Sequence, residues 1–336
     1  MQICESKAAR LRALSTPEGV IAALAMDQRK SLRRMISEAA GVPLDEISDT
    51  KLREFKAAVT RVLSEHASAV LLDPEFGSGA FSERADRCGL LMTYEMDGYE
   101  NPRPNRMLAL MPDLSARRLR DIGADGIKIL LSYTPFDDAA ANDEKKAMIE
   151  RIGHECQAAG VPFFLEPVGY DPGGLDPKSF AFAQRKPEIV IRSMEEFSRD
   201  VYKVDILKVE FPVDAAYVEG SAVFTGQKAY SRAEALDYYR RADAVARRPY
   251  IYLSAGVATE QFTESLKLAA EARARFSGVL CGRATWQGGV DLFARQGVAA
   301  FEAWLRKEGV KNIGAVNECL RAATSWEMLL QAPTAA

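Results

Sequence analysis

Short, strongly apolar runs recur along this chain and alternate with stretches of helical periodicity. The runs are near-continuous, which is typical of parallel strands that are covered on both faces. We predict strands at VIAALAM (20–26), SAVLLDP (68–74), LLMTYE (90–95), GIKILLS (126–132), VPFFLEP (161–167), DILKVEF (205–211), YIYLSA (250–255) and GVLCGRA (278–284). Eight strand–helix units with right-handed crossovers favour a closed ring over an open sheet. The sequence therefore predicts an α/β fold, a single (β/α)8 TIM barrel.

Helical stretches fill the spaces between these runs, at 52–67, 143–160, 232–247 and 259–275. Thr259 is predicted to cap the last helix, and Gly160 to end the second. The 336 residues exceed the ~250 of a typical barrel of this kind. We therefore predict one domain over residues 1–336, with a helical extension at 1–18, further helices at 300–330 and a long Gly- and Pro-rich loop at 169–188.

The composition excludes several classes of function. The formal net charge is −3, from 44 Lys+Arg against 47 Asp+Glu, so the basic excess typical of nucleic-acid binding is missing. No apolar run approaches the ~20 residues that span a bilayer, and the charged N-terminus does not resemble a secretory signal. Five scattered cysteines without a CxxC pair indicate a reduced cytoplasm, and two histidines make a metal site improbable. We predict no metal, cofactor, nucleic-acid partner or membrane contact.

Polar residues accumulate where the predicted strands end, which is the functional face of such a barrel. They are Asp27 and Gln28 after strand 1, Asp73 and Glu75 after strand 2, Lys128 in strand 4, Glu166 in strand 5, and Lys208 with Glu210 in strand 6. Charges inside apolar runs are costly to desolvate unless a partner or a function compensates for the cost. The spacing of about forty residues between Lys128, Glu166 and Lys208 is that of one strand–helix unit, and we expect the three side chains to meet.

Two lysines and a carboxyl group in one pocket suit Schiff-base chemistry on a carbonyl. Lys208 is the candidate nucleophile, because burial and a second ammonium, that of Lys128, would both favour its uncharged form. Glu166 would transfer protons, and Asp27 would orient the iminium or hold a substrate hydroxyl. The alternative is that each lysine forms a structural ion pair, for instance Lys208 with Glu210 or Glu166.

The last two predicted strands run into turns of small residues. Ser254, Ala255 and Gly256 form one turn, and Gly282 and Arg283 begin the next. In this fold the loops after strands 7 and 8 often hold a phosphate through backbone N–H groups, and a guanidinium adds forked donors. These residues therefore predict a phosphate site, although small residues also permit close packing of strands and helices.

Several longer motifs resemble the tagatose-1,6-bisphosphate aldolases, a class I family of lactose catabolism. They are DPEFG, GADGIKILL, ERIGHEC followed by VPFFLE, VDILKVEFPVD, YVEG, YIYLSAGV, FSGVLCGRATW and TSWE, which together extend from about Gly19 to Glu327. The resemblance implies metal-independent cleavage of a ketose bisphosphate into dihydroxyacetone phosphate and glyceraldehyde 3-phosphate.

The resemblance also implies roles for individual residues and an assembly. It matches Lys208 to the Schiff-base lysine, Glu166 to the acid/base glutamate, and Asp27 and Lys128 to supporting groups of the same site. Ser254 and Arg283 match the phosphate-binding residues of the family. A homodimer or homotetramer is expected by the same likeness.

One motif departs from that family, and it leaves the substrate open. The residues after Glu166 read EPVGYD (166–171), similar to the sulfofructose-phosphate aldolases, which would place a sulfonate at C6 of the sugar. Tagatose and fructose bisphosphates also stay open, because they differ in the configuration of one hydroxyl. A non-catalytic sugar-phosphate sensor is a third possibility, but a sensor needs no amine nucleophile. A metal-dependent barrel aldolase would require more histidines than this chain has.

Overall fold

In a computed structural model, residues 3–97 and 106–331 are described, and their strands close into a parallel barrel. The strands follow one another around the ring in chain order, and the last pairs with the first. Their bounds are β1 Ile21–Met26, β2 Ala69–Leu72, β3 Gly89–Thr93, β4 Gly126–Ser132, β5 Phe163–Val168, β6 Ile206–Val209, β7 Tyr250–Leu253 and β8 Gly278–Cys281. All eight predicted strands overlap these elements, and the predicted (β/α)8 barrel is confirmed.

The helices surround the barrel and extend beyond it toward the C-terminus. They are α1 Glu5–Ala13, α2 Lys30–Ala40, α3 Asp49–Leu63, α4 Ala116–Asp121, α5 Ala139–Ala159, α6 Phe180–Phe197, α7 Arg232–Val245, α8 Thr259–Glu271, α9 Arg283–Trp286, α10 Val290–Gln296, α11 Val298–Trp304, α12 Val310–Cys319 and α13 Trp326–Gln331. A π-helical turn, Leu305–Gly309, joins α11 to α12. None of the helices in the described ranges is long and apolar enough to cross a membrane.

Alternate residues of each strand point to different layers of the core, because side chains in a strand alternate between its faces. One set lines the barrel interior and includes Ala23, Ala25, Leu71, Phe164 and Ile251. The opposite set packs against the surrounding helices in a larger core. Because both faces of the strands are covered, the sequence runs are continuously apolar.

The predicted loop at 169–188 is wrong in its second half, where α6 begins at Phe180. The Ser179 side chain caps this helix by accepting a hydrogen bond from the Phe182 N–H. Pro187 lies inside the helix, where it cannot donate a hydrogen bond to the carbonyl of Ala183. The Tyr230 hydroxyl donates to that carbonyl instead, so the helix continues through the proline.

Of the two predicted helix ends, one is confirmed and the other is wrong. Gly160 ends α5 with a φ of +65°, as predicted. The predicted cap at Thr259 is wrong, because Ala258 precedes the first helical residue and Thr259 itself begins α8. The Thr259 hydroxyl donates to the Ala284 carbonyl and so ties α8 to α9 instead of capping its own helix.

The ends of the described chain close the bottom of the barrel, where the strands begin. Lys7 on α1 forms a buried ion pair of 2.7 Å with Asp205, just before β6. On the other side, Trp326 of α13 donates its indole N–H to Ser15 Oγ at 3.0 Å, and its backbone N–H to the Gly19 carbonyl. The functional groups described next lie at the opposite, C-terminal ends of the strands.

Candidate functional site

Lys128, Glu166 and Lys208 meet inside the barrel, where the sequence predicts that they should. They project from the adjacent strands β4, β5 and β6, and each is at least nine-tenths buried. Glu166 lies between the two lysines: its Oε2 is 2.7 Å from Lys128 Nζ, and its Oε1 is 2.7 Å from Lys208 Nζ. One carboxylate therefore bridges both amines.

Lys128 is surrounded by three carboxylates. Its Nζ is 3.0 Å from Asp27 Oδ2, 2.9 Å from Glu95 Oε1 and 2.7 Å from Glu166 Oε2. Burial alone would lower the pKa of Lys128, but the charges of Asp27, Glu166 and Glu95 raise it well above its ordinary value. Lys128 donates hydrogen bonds to Asp27 and Glu95, whereas Glu166 Oε2 pairs with it by charge and accepts no hydrogen bond from the described residues. Lys128 is therefore a fixed positive charge and not a nucleophile.

Lys208 has a much less crowded amine. Within residues 3–97 and 106–331, Glu166 is the one acidic side chain within 4.0 Å of Lys208 Nζ. The positive charge of Lys128 is held on the other oxygen of the same carboxylate. The two lysines therefore differ in the number of their carboxylate partners, which is three for Lys128 and one for Lys208.

The structural alternative named Glu166 or Glu210 as the partner of Lys208, and the structure shows the pair with Glu166. Glu210 belongs to a different interaction. Glu210 Oε2 accepts a hydrogen bond from the Gly169 N–H at 2.8 Å, and its Oε1 is 3.4 Å from Lys186 Nζ. It thereby links the loop after β5 to α6. We call Lys128, Lys208 and the carboxylates that pair with them the lysine cluster. Glu210 follows the end of β6 and is not part of it.

Asp27 and Gln28 are held at the end of β1 by a buried lysine from α3. Lys56 Nζ donates to the carbonyls of Met26, at 2.8 Å, and Gln28, at 2.7 Å, which flank Asp27. Burial would raise the pKa of the Asp27 carboxyl, but Lys128 and Lys208 lower it well below its ordinary value. Asp27 is therefore ionised beside Lys128.

Two polar atoms near β1 and β2 have contrasting environments. Gln28 Oε1 is buried and accepts no hydrogen bond from the described part of the chain, which is unusual for a buried polar atom. The carboxylate of Asp73, by contrast, pairs with Lys56 and accepts the Phe76 N–H. Asp73 thus supports the strand ends from the helical side.

The predicted phosphate loops come together after β7 and β8. Ala255 and Gly256 both have positive φ values, +50° and +75°, and the turn is closed by a hydrogen bond of 3.1 Å from the Val257 N–H to the Ser254 carbonyl. A side chain at Gly256 would overlap the Arg283 guanidinium, so the absence of a Cβ lets that cation lie against the turn. A Cβ at Gly282 would collide with the Ala25 carbonyl of β1.

The Cys281 thiol relates this turn to the lysine cluster. Burial raises the pKa of Cys281 to about 12, while a hydrogen bond with Ser254 and the charge of Lys208 act in the opposite direction. Cys281 is therefore a protonated thiol that lies close enough to both Ser254 and Lys208 to interact with them. Ser254 and Lys208 accordingly belong to one region of the barrel.

Sequence reasoning missed Glu95 and Lys56. Glu95 lies two residues after the end of β3, as Asp27 lies one residue after β1, and a carboxylate at the C-terminal end of a strand could have indicated it. Lys56 interrupts the apolar face of α3 beside Leu52, Phe55 and Val59, all fully buried. A charged residue within the apolar face of a helix could have indicated Lys56 from the sequence.

A cavity of about 820 Å³ lies on the outer wall of the barrel between α5 and α6. It is lined by charged and polar side chains, among them Tyr133, Asn142, Lys146 and Arg192. None of the predicted site residues lines it. The chemistry of the lysine cluster is therefore separate from this groove.

Comparison with known proteins identifies one family and a set of similar enzymes. The model of the family described as DeoC/LacD family aldolase matches residues 21–288. Proteins named tagatose 1,6-diphosphate aldolase from Staphylococcus aureus strains MSSA476, JH9 and Newman are each 44% identical to this chain over 328 residues. Each alignment covers 97% of this chain and 99% of the relative.

Proposed function

This chain belongs to the DeoC/LacD family of aldolases, and from that membership and the lysine cluster we propose that it is a class I, Schiff-base aldolase of a ketose bisphosphate. The proposed substrate is tagatose 1,6-bisphosphate, with fructose 1,6-bisphosphate as a possible second substrate. The products are dihydroxyacetone phosphate and glyceraldehyde 3-phosphate. The observation that carries the proposal is the bridge of Glu166 between a fixed ammonium and a second lysine with one carboxylate partner.

The first half of the proposed reaction forms the covalent intermediate. Lys208 Nζ gives a proton to Glu166 Oε1, 2.7 Å away, and its lone pair attacks the C2 ketone. A second proton passes from the nitrogen to the C2 oxygen and gives the carbinolamine. Glu166 then returns its proton to the C2 hydroxyl, which leaves as water and yields the iminium. Lys128 keeps its charge throughout, because three carboxylates lie within 3.0 Å of its amine.

The second half breaks the carbon–carbon bond. A base, for which Glu166 is the candidate, takes the proton from the C4 hydroxyl, the C3–C4 electron pair moves toward the iminium, and glyceraldehyde 3-phosphate leaves as the aldehyde. The remaining enamine is protonated at C3, and water hydrolyses the iminium to release dihydroxyacetone phosphate and the free amine of Lys208. Each proton removed is returned, so Glu166 ends in its initial state.

We assign the substrate contacts to the polar groups around the cluster. Ser254, Gly256, Gly282 and Arg283 would bind the C1 phosphate through backbone donors and a guanidinium. Asp27 would face the reacting carbons. Together with the buried Gln28 oxygen, it would bind substrate hydroxyls.

Reductive trapping tests the nucleophile. Borohydride added with dihydroxyacetone phosphate is expected to leave a stable mass adduct on Lys208, located by peptide mass spectrometry. The chain supplies its own comparison in Lys145, a fully buried lysine of α5 whose pKa is lowered by burial and which donates to the Tyr170 hydroxyl at 2.9 Å. An adduct on Lys145 or Lys128, or no adduct at all, would overturn the assignment. Lys208→Arg is expected to abolish the adduct, and Lys145→Arg to preserve it.

Substrate choice is tested by a panel of sugar phosphates compared by kcat/KM. Tagatose 1,6-bisphosphate is expected to be cleaved efficiently. A preference for sulfofructose 1-phosphate, giving sulfolactaldehyde, would instead support the alternative suggested by the EPVGYD motif. Binding of every sugar phosphate without turnover would support the sensor alternative.

We also propose a cytoplasmic enzyme that forms a homodimer or homotetramer. All five cysteines are free thiols, which supports a reducing compartment. The oligomer rests on the resemblance to the tagatose-bisphosphate aldolases. Light scattering coupled to size-exclusion chromatography is expected to give two or four times the 37.0 kDa chain mass, and a monomer would contradict the proposal.

A further inference from the structure

Glu95 is the one member of the lysine cluster to which the proposed reaction gives no task. It follows β3, and only 6% of its side chain is exposed. Glu95 Oε1 contacts Lys128 Nζ at 2.9 Å, while its backbone carbonyl accepts a hydrogen bond of 2.9 Å from Arg29 Nη2. The second carboxylate oxygen, Oε2, accepts the Tyr94 N–H at 3.3 Å. A buried carboxylate is costly to maintain unless its charge has an effect.

The first effect concerns the geometry of Lys128. Lys128 donates hydrogen bonds to Asp27 and Glu95, and Glu166 Oε2 lies 2.7 Å from the same amine without accepting a hydrogen bond from the described residues. Without Glu95, one N–H of Lys128 would be free to compete for Glu166 Oε1, which is the oxygen that contacts Lys208. Glu95 thus leaves that oxygen to Lys208.

The second effect concerns charge. Asp27, Glu95 and Glu166 are three carboxylates, and Lys128 and Lys208 are two amines, so the fully ionised cluster has one uncompensated negative charge. Such an excess favours a cation at the nitrogen of Lys208, first as the ammonium and later as the iminium. Replacing Glu95 by a neutral residue would cancel the excess.

We propose that Glu95 is a positioning residue of the aldol reaction, which completes the shell of Lys128 and stabilises positive charge at Lys208 through its own negative charge. The inference rests on the proposed Schiff-base function. It adds Glu95 to the four residues already given a role in the reaction, which are Lys208, Glu166, Lys128 and Asp27.

The other charged groups near the cluster pair with residues outside it. From the end of β1 comes Arg29, which lies 3.7 Å from Glu75 after β2. From α3 comes Lys56, paired with Asp73. From β8 comes Cys281, whose thiol is kept protonated by burial and therefore adds no charge. The side chains that face Lys128 and Lys208 directly are thus Asp27, Glu95 and Glu166.

The test measures borohydride trapping of dihydroxyacetone phosphate on Lys208 as a function of pH. Glu95→Gln keeps the shape and a hydrogen-bonding oxygen but removes the charge. The trapping rate falls at low pH, and the pH at which it is half-maximal is expected to be about one unit lower in this variant. Glu95→Asp keeps the charge at a slightly greater distance, so its midpoint is expected to stay near that of the unchanged protein, even where its rate falls. Glu155→Gln is the matched control: Glu155 lies on α5, accepts the Ala116 N–H and does not touch the cluster.

The outcomes separate this inference from the function on which it rests. If the unchanged protein forms no adduct at any pH, the Schiff-base function fails. If the unchanged protein forms the adduct and Glu95→Gln has the same or a higher midpoint, the function stands and the role of Glu95 is refuted. A fall that also appears in Glu155→Gln would likewise refute a specific role for Glu95. Thermal unfolding of all three variants checks that they are folded over the pH range used.

Discussion

Glu166→Gln is the sharpest perturbation of the proposed reaction, because the structure gives each carboxylate oxygen a different lysine. The glutamine keeps one oxygen and replaces the other by an amino group. The oxygen is expected to remain with Lys128, which is a permanent cation, so that the amino group faces Lys208. An amide N–H beside Lys208 favours the uncharged amine, which is the state that attacks the ketone.

The variant should therefore keep a competent nucleophile and lose its proton carrier. A positioned acid/base contributes about 10²–10⁴-fold to a rate. At about 1.4 kcal/mol for each factor of ten, this corresponds to an activation barrier raised by ~3–5 kcal/mol. We expect kcat to fall by this factor, while KM changes little and the borohydride adduct on Lys208 still forms on long incubation.

The assay couples release of dihydroxyacetone phosphate to oxidation of NADH, with peptide mapping of the trapped adduct alongside. Glu210→Gln is the control, since Glu210 is a buried carboxylate after the neighbouring strand and contacts Gly169 and Lys186 instead of the cluster. Unchanged turnover in Glu166→Gln would remove Glu166 as the proton carrier. Equal losses in both variants would show that the effect comes from general damage to the fold.

Three further predictions address the phosphate turn, the support of β1 and the acid limb of stability. Gly256→Ala, forced to a φ of +75° and against Arg283, should raise KM for the bisphosphate about tenfold with a smaller change in kcat, and an unchanged KM would argue against a phosphate there. Lys56→Met leaves Asp73 unpaired where it is fully buried and should cost ~3–5 kcal/mol in urea unfolding, whereas Lys56→Met combined with Asp73→Asn should recover part of it. Because the pKa of Asp27 is lowered in the folded state, its contribution to stability is complete above its unfolded pKa of about 4 and is lost as the pH falls below that value. Asp27→Asn should flatten the pH dependence of the unfolding free energy in that range, and an unaltered acid limb would contradict the ionised state of Asp27.

The barrel was predictable because its strands are covered on both faces, and this makes continuous apolar runs visible in the sequence. The same property made Lys128, Glu166 and Lys208 conspicuous, since a charge inside such a run is costly to bury unless it has a partner or a function. Glu95 was harder to find, because it follows the run of β3 and a charged residue just after a strand is ordinary in a loop. Its importance depends on the stagger between β3 and β4, where Thr93 lies beside Lys128.

The errors have a common physical origin in long-range hydrogen bonds. Pro187 normally ends a helix, and only the hydroxyl of Tyr230, more than forty residues away, satisfies the carbonyl that the proline leaves without a donor. Thr259 has the right chemistry for a cap, but its hydroxyl donates to Ala284 on another helix. A local pattern cannot register a partner that distant segments bring to it.

The location of α1 and α13 has a practical consequence for attaching this protein to a surface or a second enzyme. Lys7 and Trp326 fix both helices against the end of the barrel where the strands begin, on the side remote from Lys208. A tether fused near either helix would leave from that side and keep the opposite opening clear for diffusing sugars. Immobilised preparations joined through either end should therefore retain their turnover, whereas coupling through the loops that follow the strands should obstruct it.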